Sequence, residues 1–197
     1  MDVNGRLSLL YRQIKMLLGI GRVTSMNDSG VVQQVQYQTP MEVRGKTPRL
    51  AEFGFSSGLP SGTDVILGFL GGDRSNAVII ASNHQTYRHS GLNAGETVIY
   101  NQWGLFIKLT ETGIIVEARG QPVTVNHATT VTVNASDSVY LNTPVLKVSG
   151  DIIDNAGTNN TTLKNLRDTY NGHDHAMAGV EQGSATVTSK VPGEQVK

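Results

Sequence analysis

Near the carboxyl-terminal end, Asn171-Gly172-His173-Asp174-His175 is the one constellation in this sequence with metal-binding chemistry. On an extended segment, residues two apart project to the same side, so the imidazoles of His173 and His175 can face one point. Neutral imidazole is a ligand for iron, nickel, copper and zinc. Two nitrogens do not complete a coordination sphere, and the chain has no cysteine to add thiolates. The missing cysteines also remove disulfides and thiolate nucleophiles, and leave the redox compartment open. Asp151 and Asp154, on either side of Ile152-Ile153, are a second candidate. Copies of either carboxylate could converge on a hard cation such as calcium, although solvated turn carboxylates are the plainer reading. His84, His89 and His127 are scattered and receive no chemistry.

Composition narrows what such a site can serve. Lys plus Arg (16) balances Asp plus Glu (16), so no long-range field would hold nucleic acid or steer an anionic substrate. A chain of 197 residues with 38% hydrophobic content fits one large domain or two to three small ones with a modest core. The 22 glycines, with Thr, Val and Asn crowding the second half, favour strands and turns, so the fold class expected is mainly β. The apolar run Met16 to Ile20 is too short to span a bilayer, and neither a signal peptide nor an anchor is read.

The elements follow from periodicity. Leu7, Leu10, Ile14, Leu17 and Leu18 form an apolar stripe on a helix expected over Arg6 to Ile20, ended by Gly19 and Gly21. That stripe must lie on its own domain or on a neighbouring subunit. Five strands are expected at Arg22 to Asn27, Val31 to Tyr37, Arg49 to Phe55, Asp64 to Phe69 and Ala77 to Ala81, with loops at 28–30, 56–62 and 71–73. Such a run suits an OB-fold-like barrel, and several small sandwiches fit equally well. It lacks the basic and aromatic interleaving of a nucleic-acid groove, which favours a structural collar. A connector from Asn83 to Gly95 leads to strands at Thr97 to Asn101, Leu105 to Thr110 and Ile114 to Glu117, with Trp103 as a packing aromatic.

A repeat then takes over. Val123-Thr124-Val125-Asn126, Val131-Thr132-Val133-Asn134 and Val139-Tyr140-Leu141-Asn142 recur every eight residues, and Leu146-Lys147-Val148 follows one residue out of phase. Within each unit one strand face is Val or Leu and the other Thr, Asn or Tyr. One chain winding through such short rungs would bury almost nothing, so identical rungs must stack and other chains must close the cross-section. Three intertwined chains give a triangular prism with valines inside; a meander sheet with coincidental spacing is the alternative. Threefold symmetry would also present six nitrogens from His173 and His175 at the axis, an octahedral set in which zinc is less comfortable. Small residues Gly172, Ala176, Ala178 and Gly179 permit the close approach. Six protein ligands leave no open position for redox catalysis. The last stretch, with Thr186-Val187-Thr188 as a weak strand, either folds back around the tip or frays.

These features together resemble the central spike proteins of contractile-tail phages, the baseplate assembly protein V family of Mu-like and P2-like phages, whose relatives include type VI secretion tips. Beyond the rungs and Asn171 to His175, the resemblance rests on Gly95-Glu96-Thr97-Val98-Ile99-Tyr100, Gly104-Leu105-Phe106-Ile107-Lys108-Leu109 and Gly113-Ile114-Ile115-Val116. It implies a homotrimer with an amino-terminal helix (1–21), an OB-fold collar (22–92) seated in the hub, a triple-stranded β-helix shaft (93–160) and a pointed tip (161–197). It further implies iron held by His173 and His175 through six ligands from three chains, and hub and tail-tube partners. A virion tail-tip location after synthesis in the host cytoplasm, and mechanical piercing of the host outer membrane, follow from it too. No muramidase fits between Ser82 and Gly95, and neither an enzyme activity nor a small-molecule substrate is expected. Two rivals remain. A polysaccharide-degrading spike needs paired carboxylates, yet Asp137 is the sole acid between Gly120 and Gly150, and Glu111 and Glu117 have no evident cleft. A secretion-type tip would need an extra cargo domain or a docked partner, and the short tail after His175 leaves no such domain.

Overall fold

The computed structural model describes residues 3–178 and 186–193. Its first helix, α1 (Val3–Lys15), stops five residues short of the expected end, with Arg12 and Lys15 placed favourably at the negative pole of the helix dipole. The reason lies in the two glycines. They belong to strand β1 (Leu18–Asn27) and admit rings against the backbone. A Cβ on Gly19 would stand 2.9 Å from Cε2 of Phe69, and one on Gly21 would stand 2.9 Å from Cδ2 of Tyr37. No residue of α1 is buried, and Leu7, Leu10 and Ile14 are all exposed.

β1 joins β2 (Gln34–Gln38), β3 (Val43–Pro48), β4 (Asp64–Phe69) and β5 (Ala77–Asn83) in an antiparallel sheet of order β3-β2-β1-β4-β5. A parallel bridge from Arg49 to Ile79 brings the chain just past β3 against β5, and the Leu50 N–H donates to the Ile79 carbonyl at 3.1 Å. The two edges of the sheet therefore meet. Alternation puts Val23, Val35, Tyr37, Val65, Leu67, Phe69 and Ile79 into one core. Burying each such side chain contributes about 1.5–3 kcal/mol relative to leaving it in water.

The third strand is Val43–Pro48 and not the expected Arg49 to Phe55. Pro40, Gly45 and Pro48 read as turn residues, and Lys46 does sit at φ +58°, where the pairing with β2 slips register. The segment expected as strand runs as a loop with Phe53 and Phe55 exposed. Arg49 pins that loop: one guanidinium nitrogen donates to Gln33 Oε1 at 2.9 Å and the other to Ser57 Oγ at 3.0 Å.

Further along, β6 (Thr97–Tyr100), β7 (Phe106–Thr110) and β8 (Gly113–Glu117) form an antiparallel sheet in chain order. Asn101 Oδ1 accepts the N–H groups of Trp103 and Leu105 at 3.0 and 3.1 Å, and Gly104 at φ +83° completes that turn. Lys108 pairs with Glu96 at 2.9 Å. Every residue from 119 to 158 is exposed, and none lies in a hydrogen-bonded strand. The eight-residue repeat therefore finds no ladder within its own chain. The chain divides into two compact units, Met1–His127 and Ala128–Lys197. In the second, helix α2 (Leu163–Gly172) is followed by the short pair β9 (Ala176–Ala178) and β10 (Thr186–Thr188).

Candidate metal centre

Helix α2 begins where Thr162 accepts the Asn165 N–H on its hydroxyl at 3.1 Å, a side-chain N-cap. Lys164 and Asp168 pair one turn apart on its exposed surface. The hydrogen bond to Asp168 and that carboxylate's charge hold the Lys164 ammonium above its usual range, with Asp151 adding to the effect. The helix ends at Gly172, and His173 turns into extended backbone at φ −73°, ψ 144°. That break delivers His173-Asp174-His175 as the extended segment expected from the sequence.

The two imidazoles come together. Their ring centroids lie 5.2 Å apart with planes at 88°, and both side chains are exposed. Nδ1 of His173 sits 2.6 Å from the Tyr170 carbonyl, and the Tyr170 ring flanks the same imidazole at 5.4 Å. Gly172 closes α2, and Ala176 and Ala178 lie in β9; Gly179 falls outside the described residues. Among the described residues no three His, Asp or Glu side chains of one chain gather as a ligand set. Two imidazoles alone do not complete a coordination sphere.

Asp154 is engaged locally. Asp154 Oδ1 accepts from Asn159 Nδ2 at 2.9 Å, and the Asp154 carbonyl accepts from the same nitrogen at 3.2 Å. His84 and His89 pack on aromatic rings, while His127 is exposed. His84 stacks on Tyr87 at 4.2 Å while its Nδ1 accepts the N–H groups of Thr86 and Tyr87 at 3.2 and 3.3 Å. His89 meets the Phe106 ring edge-on at 4.9 Å. Trp103 does not pack inside its sheet; it is exposed and lines an apolar groove of about 750 Å³ with Met26, Phe55, Tyr87 and Tyr100.

One participant was not legible in the sequence. The chain returns through β10, pairing Thr186 with Ala178 and Thr188 with Ala176. Ser189 then brackets His175, its Oγ accepting the His175 N–H at 2.8 Å and its own N–H donating to the His175 carbonyl at 2.9 Å. The weak strand signal at Thr186 to Thr188 was the available hint.

Residues 21–86 match the sequence model of a family described as bacteriophage Mu Gp45, N-terminal. The chain is 28% identical over 153 residues to the baseplate puncturing device gp45 of Escherichia phage Mu, covering 76% of this chain and 72% of that protein. It is 30% identical over 112 residues to the Mu-like prophage FluMu protein gp45 of Haemophilus influenzae, covering 56% of this chain and 61% of that one. The matched segment falls on the five-stranded sheet from β1 to β5, and over these stretches the chain is similar to the phage Mu Gp45 proteins.

Proposed function

We propose that this chain is a structural subunit of a phage tail baseplate, located in the virion tail, which trimerises into a central spike and breaches the host outer membrane mechanically. The observation that carries the reading is the unpaired repeat. Val123, Val125, Val131, Val133, Val139 and Leu141 alternate with polar residues at a fixed period, yet each is between 58% and 71% exposed in the single chain. Leaving six such side chains in water forgoes on the order of 10 kcal/mol of burial. Three chains wound together would bury these faces and hydrogen-bond the rungs between chains, so an axial load would be shared across many backbone bonds.

The remaining parts fit the same device. An OB-fold-like collar over 22–92 is supported by the sheet order and by the Arg49 to Ile79 closure. The shaft would run over 93–160 and the tip over 161–197, with the helix of 1–21 and the collar facing hub and tail-tube proteins. At the tip, His173 and His175 of three chains would supply six nitrogens to an iron ion. The ion would crosslink the apex, and the residues themselves supply only binding and orientation. Calcium at Asp151 and Asp154 is not part of this reading, since Asn159 already engages Asp154. The names of the relatives favour a structural role over the glycan-degrading alternative.

Molar mass in solution tests the reading. The wild type should be three chains, and a Val125→Asp, Val133→Asp double variant should fall apart into single chains that keep a folded collar. A monomeric wild type would overturn it.

A further inference from the structure

The groups that hold His173 and His175 come from two separate elements, and each governs one imidazole. Tyr170 is among the last residues of α2, whose final carbonyls have no helical N–H partner. Nδ1 of His173 lies 2.6 Å from that oxygen. A carbonyl only accepts, so Nδ1 carries the proton, and in the neutral ring the lone pair belongs to Nε2. His175 is held from the other side, by the reciprocal pair of hydrogen bonds to Ser189. Those bonds continue the β9 and β10 ladder by one step beyond Thr188 and Ala176.

We propose that the Tyr170 carbonyl and Ser189 are positioning groups of the metal site. The carbonyl selects Nε2 of His173 as the ligating nitrogen, and Ser189 brings the chain beyond β10 back to fix the backbone that carries His175. The inference rests on His173 and His175 being metal ligands. It adds that the His-x-His segment is set before metal arrives, by residues three positions upstream and fourteen downstream. Donation of a ligand's second ring nitrogen to a carbonyl fixes tautomer and ring orientation, and loss of such outer partners typically lowers metal affinity about 10- to 100-fold.

The test uses the full chain, stripped of metal and titrated with Ni²⁺ and Fe²⁺. Ser189→Ala should bind about tenfold more weakly than wild type at unchanged molar mass. Ser189→Thr, which keeps the hydroxyl, should restore wild-type binding. Nitrogen-15 NMR of the stripped wild type should show the His173 ring protonated at Nδ1. A wild type that takes up no ion overturns the ligand reading, and the positioning claim with it. A wild type that binds while Ser189→Ala binds equally well, or a His173 ring protonated only at Nε2, overturns the positioning claim alone.

Discussion

The sheet of residues 18–83 and the stretch 119–158 are built from similar residues with opposite results. Both are rich in Val alternating with polar side chains. In the sheet, alternate residues of β1, β2 and β4 turn toward one another and vanish from solvent, and the Arg49 to Ile79 bridge joins the two edges. In the repeat the same alternation faces nothing, because each rung offers about four residues before the chain turns away. Alternation fixes which face is apolar, and strand length together with closure decides whether one chain can cover it. A region that closes on itself should be stable as a single chain, whereas one that cannot depends on other copies and hence on concentration.

The sharpest way to break this contrast is to truncate one apolar side chain in each region. Phe69 is 2% exposed, its ring packed on Gly19. Phe69→Ala should cost the collar about 3–5 kcal/mol in chemical denaturation, the loss expected for a large aromatic in a closed core. Val133→Ala should leave that collar transition unmoved, since Val133 is 68% exposed in its own chain. It should instead lower the temperature at which the proposed trimer separates. If Val133→Ala shifts the collar transition as much as Phe69→Ala does, the two regions are one cooperative unit and the contrast fails.

Smaller in effect, but more pointed, is Gly21→Ala. The added methyl would meet the Tyr37 ring at 2.9 Å and Leu67 Cδ1 at 3.3 Å, both within the buried core. Overpacking of this kind costs about 1–3 kcal/mol, measurable as a lowered denaturation midpoint. Gly21 as a helix terminator would instead place the cost of alanine, about 1 kcal/mol of left-handed backbone strain, at the end of α1 and not in the core transition of the sheet. The variant therefore discriminates the sequence reading of this glycine from the structural one.

That misreading shows where local signals run out. Asp64 to Phe69 was legible to the residue, and the three strands between Thr97 and Glu117 to within one, because short apolar runs there are bounded by Gly, Thr and Asn turns. Gly19 and Gly21 stand where a helix stop and a ring-accommodating strand carry the same letters, and only the distant Tyr37 and Phe69 separate the two. Val43–Pro48 was hidden because a bulge with Lys46 at φ +58° needs the residues that also make turns. At the candidate metal centre the pairing of His173 with His175 was legible as their spacing, while the groups that hold them were not. A backbone carbonyl has no sequence signature, and Ser189 acts from fourteen residues away.

The smallest expected effect concerns charge at the collar's edge. Glu42 accepts from Arg44 Nε at 2.8 Å and from Arg74 Nη2 at 2.7 Å, and the Arg74 guanidinium lies over the Phe69 ring at 5.0 Å. The hydrogen bonds from Arg44, then Arg74, hold the Glu42 carboxyl below its usual range. A depressed carboxylate stabilises the fold above its unfolded-state pKa, about 4.3 for glutamate, and that contribution is lost as pH falls through the lower folded value. Collar stability should therefore decline on acidification below about pH 4.3, and Glu42→Gln should flatten part of that decline. Asp64 and Asp73 shift in the same direction through Gln85 and Arg22, and through Ser75, so a slope remains in the variant. The exposed repeat offers only Asp137 between Gly120 and Gly150, so below about pH 4.3, where the tip imidazoles are already protonated, separation of the proposed trimer should follow pH far less steeply than collar unfolding. Equal pH slopes for the two transitions, with Glu42→Gln altering neither, would mean that the Glu42 ion pairs are too solvent-screened to distinguish the regions.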